Sequence, residues 1–174
     1  MRELTLPLDS RELRELRAGD ACTLTGPLYT LRDAGHARLL EELHEQGALP
    51  YGLQGACIFY AGPTPAAAGR PFGAVGPTTA SRMDFAACDL HDAGIVATVG
   101  KGMRSDQVKE ACVRTGSVYF VATGGAAALL ARCVTSSEVV AYPDLGTEAL
   151  RRITVEGFPV FVGVDTLGHD VYDL

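Results

Sequence analysis

Short apolar strands alternate with helical segments through the second half of the sequence, and this alternation constrains the fold more than any other feature. The β-branched and aromatic runs IVATVG, SVYFVAT and FPVFVGVD are typical of buried strands. Helical segments that end at glycine separate such runs, as residues 106–115 do before Gly116. Because alternating strands and helices form parallel pairs, the sequence predicts an α/β fold with a largely parallel central sheet.

The first half of the chain has more strand and turn before its main helix. Residues 32–46 form an amphipathic pattern that ends at Gly47 and predict this helix. GACIFYAGP predicts a buried strand, and the Gly-, Pro- and Ala-rich residues 63–76 predict a loop. These patterns indicate a mixed sheet. Near the C-terminus, LGTEALRRI at residues 145–153 predicts a short helix.

Length and charge exclude several classes of protein. A chain of 174 residues, 47% of them hydrophobic, is expected to form one domain with its own core. Its net charge of −6 argues against a nucleic-acid-binding protein, which needs a basic face for phosphates. No apolar run approaches the ~20 residues of a membrane span. The charged N-terminal residues do not resemble a signal peptide, so we expect a cytoplasmic protein.

The five cysteines are dispersed and do not form a metal-binding motif. There is no CxxC pair and no Cys/His cluster with zinc spacing. We therefore expect small buried side chains in a reducing compartment, with no metal held by this chain.

The glycine-rich loops match no nucleotide-binding motif. Residues 94–101 form G-x-x-x-x-x-G-K, which has one residue too many between its glycines for a phosphate-binding loop, and Gly102 stands where Ser or Thr is required. VATGGAAAL follows a predicted strand but lacks the G-x-G-x-x-G spacing of dinucleotide sites. Close packing of a helix on the sheet explains these glycines better.

A group of cationic and hydroxyl residues lies beside turns and predicted helix starts. It consists of Arg32, Thr78, Thr79, Arg82, Lys101, Arg104 and Ser105. Backbone N–H donors at helix starts, combined with Arg and Lys, favour a small multiply charged anion such as a dicarboxylate. Exposed charge and helix capping explain the same residues, and without further information this simpler interpretation is preferred.

Several longer motifs favour the anion site over the simpler interpretation. GPTTASRMD, KGMRS, GGAAAL and AYPDLGTEALRRITVEGFPVFVGVD, with the early GPLYTLRDAGHARL, resemble the β subunit, or C-terminal domain, of the class I iron–sulfur hydro-lyases. These are the fumarate hydratases and L-tartrate dehydratases. The resemblance extends from about Leu4 to Tyr172. Met103 replaces an Asn of the family's pattern and Ser81 a Gly, and the change at Met103 bears on substrate choice.

The resemblance implies a single swivelling β/β/α-type domain over residues 1–174. It also implies a [4Fe–4S] cluster held by cysteines of a partner α subunit, and activity that requires this subunit. The expected reaction is reversible hydration of fumarate to malate, or dehydration of L-tartrate to oxaloacetate. A homodimer of the isolated chain is a further expectation.

Residue roles follow from the matching motifs. Arg32, Arg82 and Lys101, together with Thr79, would bind the substrate carboxylates, and Thr78 would be the base. The reaction moves a proton on a carbon next to a carboxylate, which gains negative charge that cationic donors stabilise. A threonine hydroxyl is a weak base unless a neighbouring cation favours its alkoxide, so Lys101 is assigned to catalysis as well.

Two alternatives stay open at this stage. The sequence does not separate fumarate from tartrate as the substrate. A non-catalytic dicarboxylate-binding or regulatory module would use the same fold. Arg32, Thr78, Arg82 and Lys101 occur together, which favours the enzyme because a binding module would not need Thr78.

Overall fold

A computed structural model describes residues 1–173. Its strands are β1 (Arg2–Thr5), β2 (Ala21–Thr30), β3 (Cys57–Phe59), β4 (Ala97–Gly100), β5 (Val118–Val121), β6 (Val134–Ala141) and β7 (Leu150–Val164). Its α-helices are α1 (Ser10–Glu15), α2 (Asp33–Gln46), α3 (Asp84–Ala93), α4 (Asp106–Thr115) and α5 (Ala127–Ala131). Short 3-10 helices span Ala80–Met83, Pro143–Glu148 and Val171–Asp173.

The strands form one mixed sheet in the order β1-β2-β3-β4-β5-β7-β6. Strands β1 to β5 run parallel to their neighbours, whereas β7 runs antiparallel to β2, β5 and β6. The additional pairing of β7 with β2 closes β2, β3, β4, β5 and β7 into a small barrel. The predicted mixed α/β class is confirmed, and the closure of the sheet was not predicted.

Side chains of the central strands alternate between two apolar clusters. Phe59, Val99 and Phe120 belong to one cluster, together with residues of β1, β2 and β7. Their neighbours Tyr60 and Tyr119 belong to the second cluster, with residues of α2, α3 and α4. Because successive side chains of a strand point to opposite faces, three short strands supply both halves of the core.

Helix boundaries follow local signals in the sequence. The Ser105 hydroxyl accepts a hydrogen bond from the Val108 N–H at 3.4 Å and caps α4. Gly47 and Gly116 end α2 and α4 in the left-handed conformation, at φ 71° and 70°. Helix α3 begins at Asp84 and directly follows the 3-10 turn Ala80–Met83.

The helix predicted over residues 145–153 is wrong. The 3-10 helix ends at Glu148, and residues from Leu150 onward belong to β7, which has 15 residues. Leu150, Ile153 and Val155 are buried on β7 in the stretch where it pairs with β2 on one side and β6 on the other. Pairing with both β2 and β6 outweighs the local helix propensity of this segment.

Among residues 1–173, the structure contains no helix with the length and apolar character that crossing a membrane requires.

Candidate active site

The carboxyl ends of the parallel strands bring several of the predicted site residues together. The Thr78 N–H donates to the Tyr60 carbonyl at 2.6 Å, and the Lys101 N–H donates to the Thr78 carbonyl at 3.2 Å. Thr79 and Lys101 form an isolated parallel bridge beyond β4. Backbone hydrogen bonds therefore extend the sheet past β3 and β4 and place Thr78, Thr79 and Lys101 side by side. This edge is where ligands bind in many parallel sheets.

Arg32 reaches the same edge from the end of β2. The Leu31 N–H donates to the Phe59 carbonyl at 3.1 Å, and Arg32 is the N-cap residue of α2. A Cβ on Gly62 would lie 2.7 Å from the Arg32 Cδ. Glycine at position 62 is therefore needed for the arginine side chain to cross the chain that leaves β3.

Arg82 lies close to Arg32 because both contact one carboxylate. Asp33 Oδ1 accepts a hydrogen bond from Arg82 Nε at 3.0 Å and lies 2.9 Å from Arg82 Nη2, which makes an ion pair with it. Asp33 Oδ2 is 3.8 Å from Arg32 Nε, and Glu148 Oε1 lies at the same distance from that nitrogen. The two predicted carboxylate-binding arginines thus form a local cluster.

Lys101 is exposed and carries an uncompensated charge. No carboxylate within residues 1–173 forms an ion pair with its Nζ. Its Cδ lies 3.7 Å from the position that a Cβ on Gly124 would occupy, so it passes beside the GGAAAL segment. An exposed ammonium beside glycine backbone is suited to contact an anionic ligand.

Thr78 is half-buried, and both of its backbone polar groups are bonded. Its hydroxyl is the polar group that stays available for a ligand, since no hydrogen bond joins it to another of residues 1–173. The arrangement is therefore a hydroxyl and a lysine on adjacent backbone, with two arginines nearby.

The sequence grouped Arg104 and Ser105 with the residues of the anion site but preferred charge and helix capping as their explanation. The structure buries Arg104 and confirms Ser105 as a helix cap. Arg104 is 4% exposed; its Nε donates to Asp84 at 2.8 Å and its Nη2 to the Tyr60 hydroxyl at 3.2 Å. Its guanidinium lies 5.2 Å and 4.9 Å from the ring centroids of Tyr60 and Tyr119. Arg104 is thus a buried support beneath the Lys101 loop, and Ser105 is a helix cap.

Replacing Arg104 by Met is expected to lower the free energy of unfolding by about 3–5 kcal/mol, because Asp84 would lose its buried cation. Urea denaturation of the isolated chain measures this loss. Arg114→Met is the matched control, since it breaks an exposed pair with Asp92 that contributes about 0–1 kcal/mol. Equal losses in the two variants would contradict the supporting role of Arg104.

His36 lies directly behind Arg32. Its Nδ1 is 2.8 Å from the Arg32 carbonyl oxygen, and its ring packs edge-on against Tyr60 at 5.1 Å. Burial lowers the pKa of His36 to about 4, so the neutral ring donates from Nδ1 to that carbonyl. His36 holds the Arg32 backbone and does not exchange protons near neutral pH. In the sequence, the spacing of four residues between Arg32 and His36, one helical turn, is the feature that indicates this contact.

The cysteines do not fit a metal cluster. Cys22, Cys57 and Cys112 are buried, and burial raises the pKa of Cys22 and Cys112 to about 11. The thiolate is the form that binds iron, and burial disfavours it. Within the part of the chain that the structure describes, no three His, Cys, Asp or Glu side chains come together as a metal-binding group.

This geometry defines a class of protein: a mixed α/β domain with a cationic edge built from the loops after its parallel strands. Comparison with known sequences identifies the family. A family model described as the fumarase C-terminus matches residues 2–174. The chain therefore belongs to the fumarase C-terminal family, and the resemblance found in its motifs is confirmed.

Named relatives lie in two groups. The chain is 41% identical to the anaerobic class I fumarate hydratase of Escherichia coli K12, covering 92% of this chain and 30% of that protein. It is 38% identical to fumarate hydratase 2 of Leishmania major, over 98% of this chain and 31% of the relative. It is 35% identical to the L(+)-tartrate dehydratase subunit beta of E. coli K12, over 97% of this chain and 85% of the relative. The chain thus spans under a third of the fumarate hydratases that it matches.

Proposed function

We propose that residues 1–174 form the β-type catalytic domain of a class I iron–sulfur hydro-lyase, with the swivelling β/β/α organisation of that family. The reaction is the hydration of fumarate to malate or the dehydration of L-tartrate to oxaloacetate. The observation that carries the proposal is the cluster of Arg32, Arg82, Lys101 and Thr78 at one edge of the sheet. Dispersed charges and helix caps would not bring a threonine and a lysine onto adjacent backbone near two arginines that share one carboxylate.

The arginines bind the substrate. Each guanidinium offers paired N–H donors that match a carboxylate, and a dicarboxylate supplies two such groups. When a proton leaves the carbon next to a carboxylate, negative charge spreads onto that carboxylate. Arg32 and Arg82 then bind the transition state more strongly than the substrate, which lowers the barrier.

Thr78 and Lys101 act on the proton. A backbone hydrogen bond of 3.2 Å joins Lys101 to Thr78. We assign to the Lys101 ammonium the role of favouring the alkoxide of the threonine. Thr78 takes the proton from the carbon in dehydration and returns it in hydration. Thr79, exposed on the same backbone bridge, adds a hydroxyl donor for a substrate carboxylate.

A [4Fe–4S] cluster belongs to the proposed partner, an α subunit, and not to this chain. Such a cluster supplies a Lewis acid for the departing or entering hydroxyl. The relative named as a subunit beta supports a separate partner. The work of this chain is to bind the carboxylates, orient the substrate and move one proton, in the cytoplasm.

Substrate choice between fumarate and L-tartrate depends on the loop that carries Lys101. Met103 is 54% exposed in this loop, where the family's pattern has an Asn. A thioether cannot donate the hydrogen bond of an amide, so Met103 weakens any contact with a substrate hydroxyl. Tartrate carries two hydroxyls and fumarate none, so this change bears on the choice between the two substrates.

The isolated chain is expected to be colourless and inactive, because its cysteines are dispersed and, within residues 1–173, form no metal-binding group. Anaerobic reconstitution of the chain alone, followed by visible absorbance and a hydratase assay, measures both properties. Co-expression with the partner should give a brown complex that turns over fumarate, malate or one tartrate enantiomer.

Two outcomes would contradict this proposal. Turnover with a stable cluster in the isolated chain would remove the division between subunits. A loaded complex that binds dicarboxylates without turning them over would favour the non-catalytic binding module instead.

A further inference from the structure

Asp33 is the acidic residue that joins the two arginines of the site. It is the first residue of α2 and lies one position after Arg32. Its Oδ1 accepts a hydrogen bond from Arg82 Nε at 3.0 Å and lies 2.9 Å from Arg82 Nη2. Its Oδ2 is 3.8 Å from Arg32 Nε. A single carboxylate therefore contacts both cations.

The contacts of Arg82 leave part of its guanidinium free. A guanidinium has a side edge, formed by Nε and one Nη, and an end edge formed by both Nη atoms. Asp33 occupies the side edge, so the end edge of Arg82 stays available to a second carboxylate. Arg82 is 52% exposed, and Asp33 is its ion-pair partner among residues 1–173. Without Asp33 this long side chain would sample many rotamers.

Arg32 also turns its Nε toward Asp33, but at a longer distance than Arg82 does. Its Nε faces Asp33 and Glu148, each at 3.8 Å, which leaves its Nη atoms for a ligand. Arg32 Nε and Asp33 Oδ2 are both buried without a hydrogen-bond partner. A buried donor and a buried acceptor that stop short of bonding cost free energy. A small shift of Arg32 toward Asp33 would pair them.

We propose that Asp33 is a positioning residue that fixes Arg32 and Arg82 side by side, with the outer edges of both guanidiniums open to a dicarboxylate. Its charge offsets the repulsion between the two cations, and its oxygens select their rotamers. A ligand that draws Arg32 inward would close the 3.8 Å gap to Asp33 and tighten the pair. The inference rests on the proposed function and concerns how its substrate site is held.

Asp33→Asn and Asp33→Ala in the assembled enzyme test the role. We expect Asp33→Asn to raise the KM for fumarate about tenfold and lower kcat less than threefold, since substrate binding is weakened more than the proton transfer. Asp33→Ala should have the larger effect, because Asn keeps one oxygen as an acceptor. Calorimetric titration with succinate, a dicarboxylate that cannot react, should show the same order in Kd.

Asp92→Asn is the matched control. Asp92 accepts from Nε and Nη2 of Arg114 at 3.0 Å and 2.9 Å, and Arg114 is 53% exposed. This pair resembles that of Arg82 but joins the ends of α3 and α4. Its loss should leave KM and the Kd for succinate unchanged.

Two results would overturn the inference. A lower KM or tighter succinate binding in Asp33→Asn would mean that Asp33 competes with the substrate for Arg82. Kinetics equal to those of Asp92→Asn would reduce Asp33 to an ordinary residue of a helix start. If the wild-type complex binds succinate but converts neither fumarate nor L-tartrate, the proposed reaction fails, and the succinate titration still decides the role of Asp33.

Discussion

Replacing Thr78 by Val is expected to lower the kcat of the proposed hydro-lyase complex by about two orders of magnitude or more, with little change in substrate affinity. Valine keeps the shape of threonine and removes the hydroxyl that would move the proton. The backbone hydrogen bonds of Thr78 to Tyr60 and Lys101 stay in place. Steady-state kinetics of the cluster-loaded complex measure the effect.

Thr135→Val is the control for this prediction. Thr135 lies on β6, is exposed and donates its hydroxyl to the Thr154 carbonyl at 3.3 Å, so its loss should not affect turnover. Near-wild-type kcat in Thr78→Val would remove Thr78 from the proton transfer. The cationic site for the carboxylates would then stand without it.

Truncating Arg32 or Arg82 to alanine is expected to affect both KM and kcat, whereas Thr78→Val affects mainly kcat. Arg32→Ala and Arg82→Ala should each lose on the order of 2–4 kcal/mol of transition-state binding, or roughly 30- to 1000-fold in kcat/KM. KM should rise because the carboxylate loses its partner. Because that carboxylate gains charge during the reaction, kcat should also fall.

Arg38→Ala shows whether these losses are specific. Arg38 lies on α2, the helix that begins directly after Arg32, and it pairs with Asp144 at 2.8 Å on the surface. Its removal should leave kcat/KM unchanged, because an exposed ion pair contributes little to the stability of the fold and Arg38 is not among the proposed substrate-binding residues. A similar loss in Arg38→Ala would assign the effect to helix α2 as a whole.

The strand and helix pattern was predictable where the signals were local. Buried apolar runs located β3, β4 and β5, and the Ser105 cap with Gly116 located α4. Closure of the barrel was not predictable, because β7 pairs with β2 across more than a hundred residues of sequence. No periodicity within either strand specifies such a partner.

Site residues show the same limit. Lys101 and Arg104 lie in one loop, and the sequence treats both as cations beside a helix start. The structure exposes Lys101 and buries Arg104, because Tyr60, Tyr119 and Asp84 from separate segments surround the arginine. Which cation meets the ligand depends on these distant contacts, and a local pattern does not contain them.

The backbone bridge between Thr79 and Lys101 bears on how such enzymes diverge. Main-chain bonds hold the reactive loops together, and exchanging a side chain leaves those bonds intact. Side chains at positions such as 103 can therefore be substituted one at a time while the main-chain hydrogen bonds that hold the loops are kept. Relatives named as a fumarate hydratase and as an L(+)-tartrate dehydratase subunit beta, 41% and 35% identical to this chain, are consistent with such a main-chain frame.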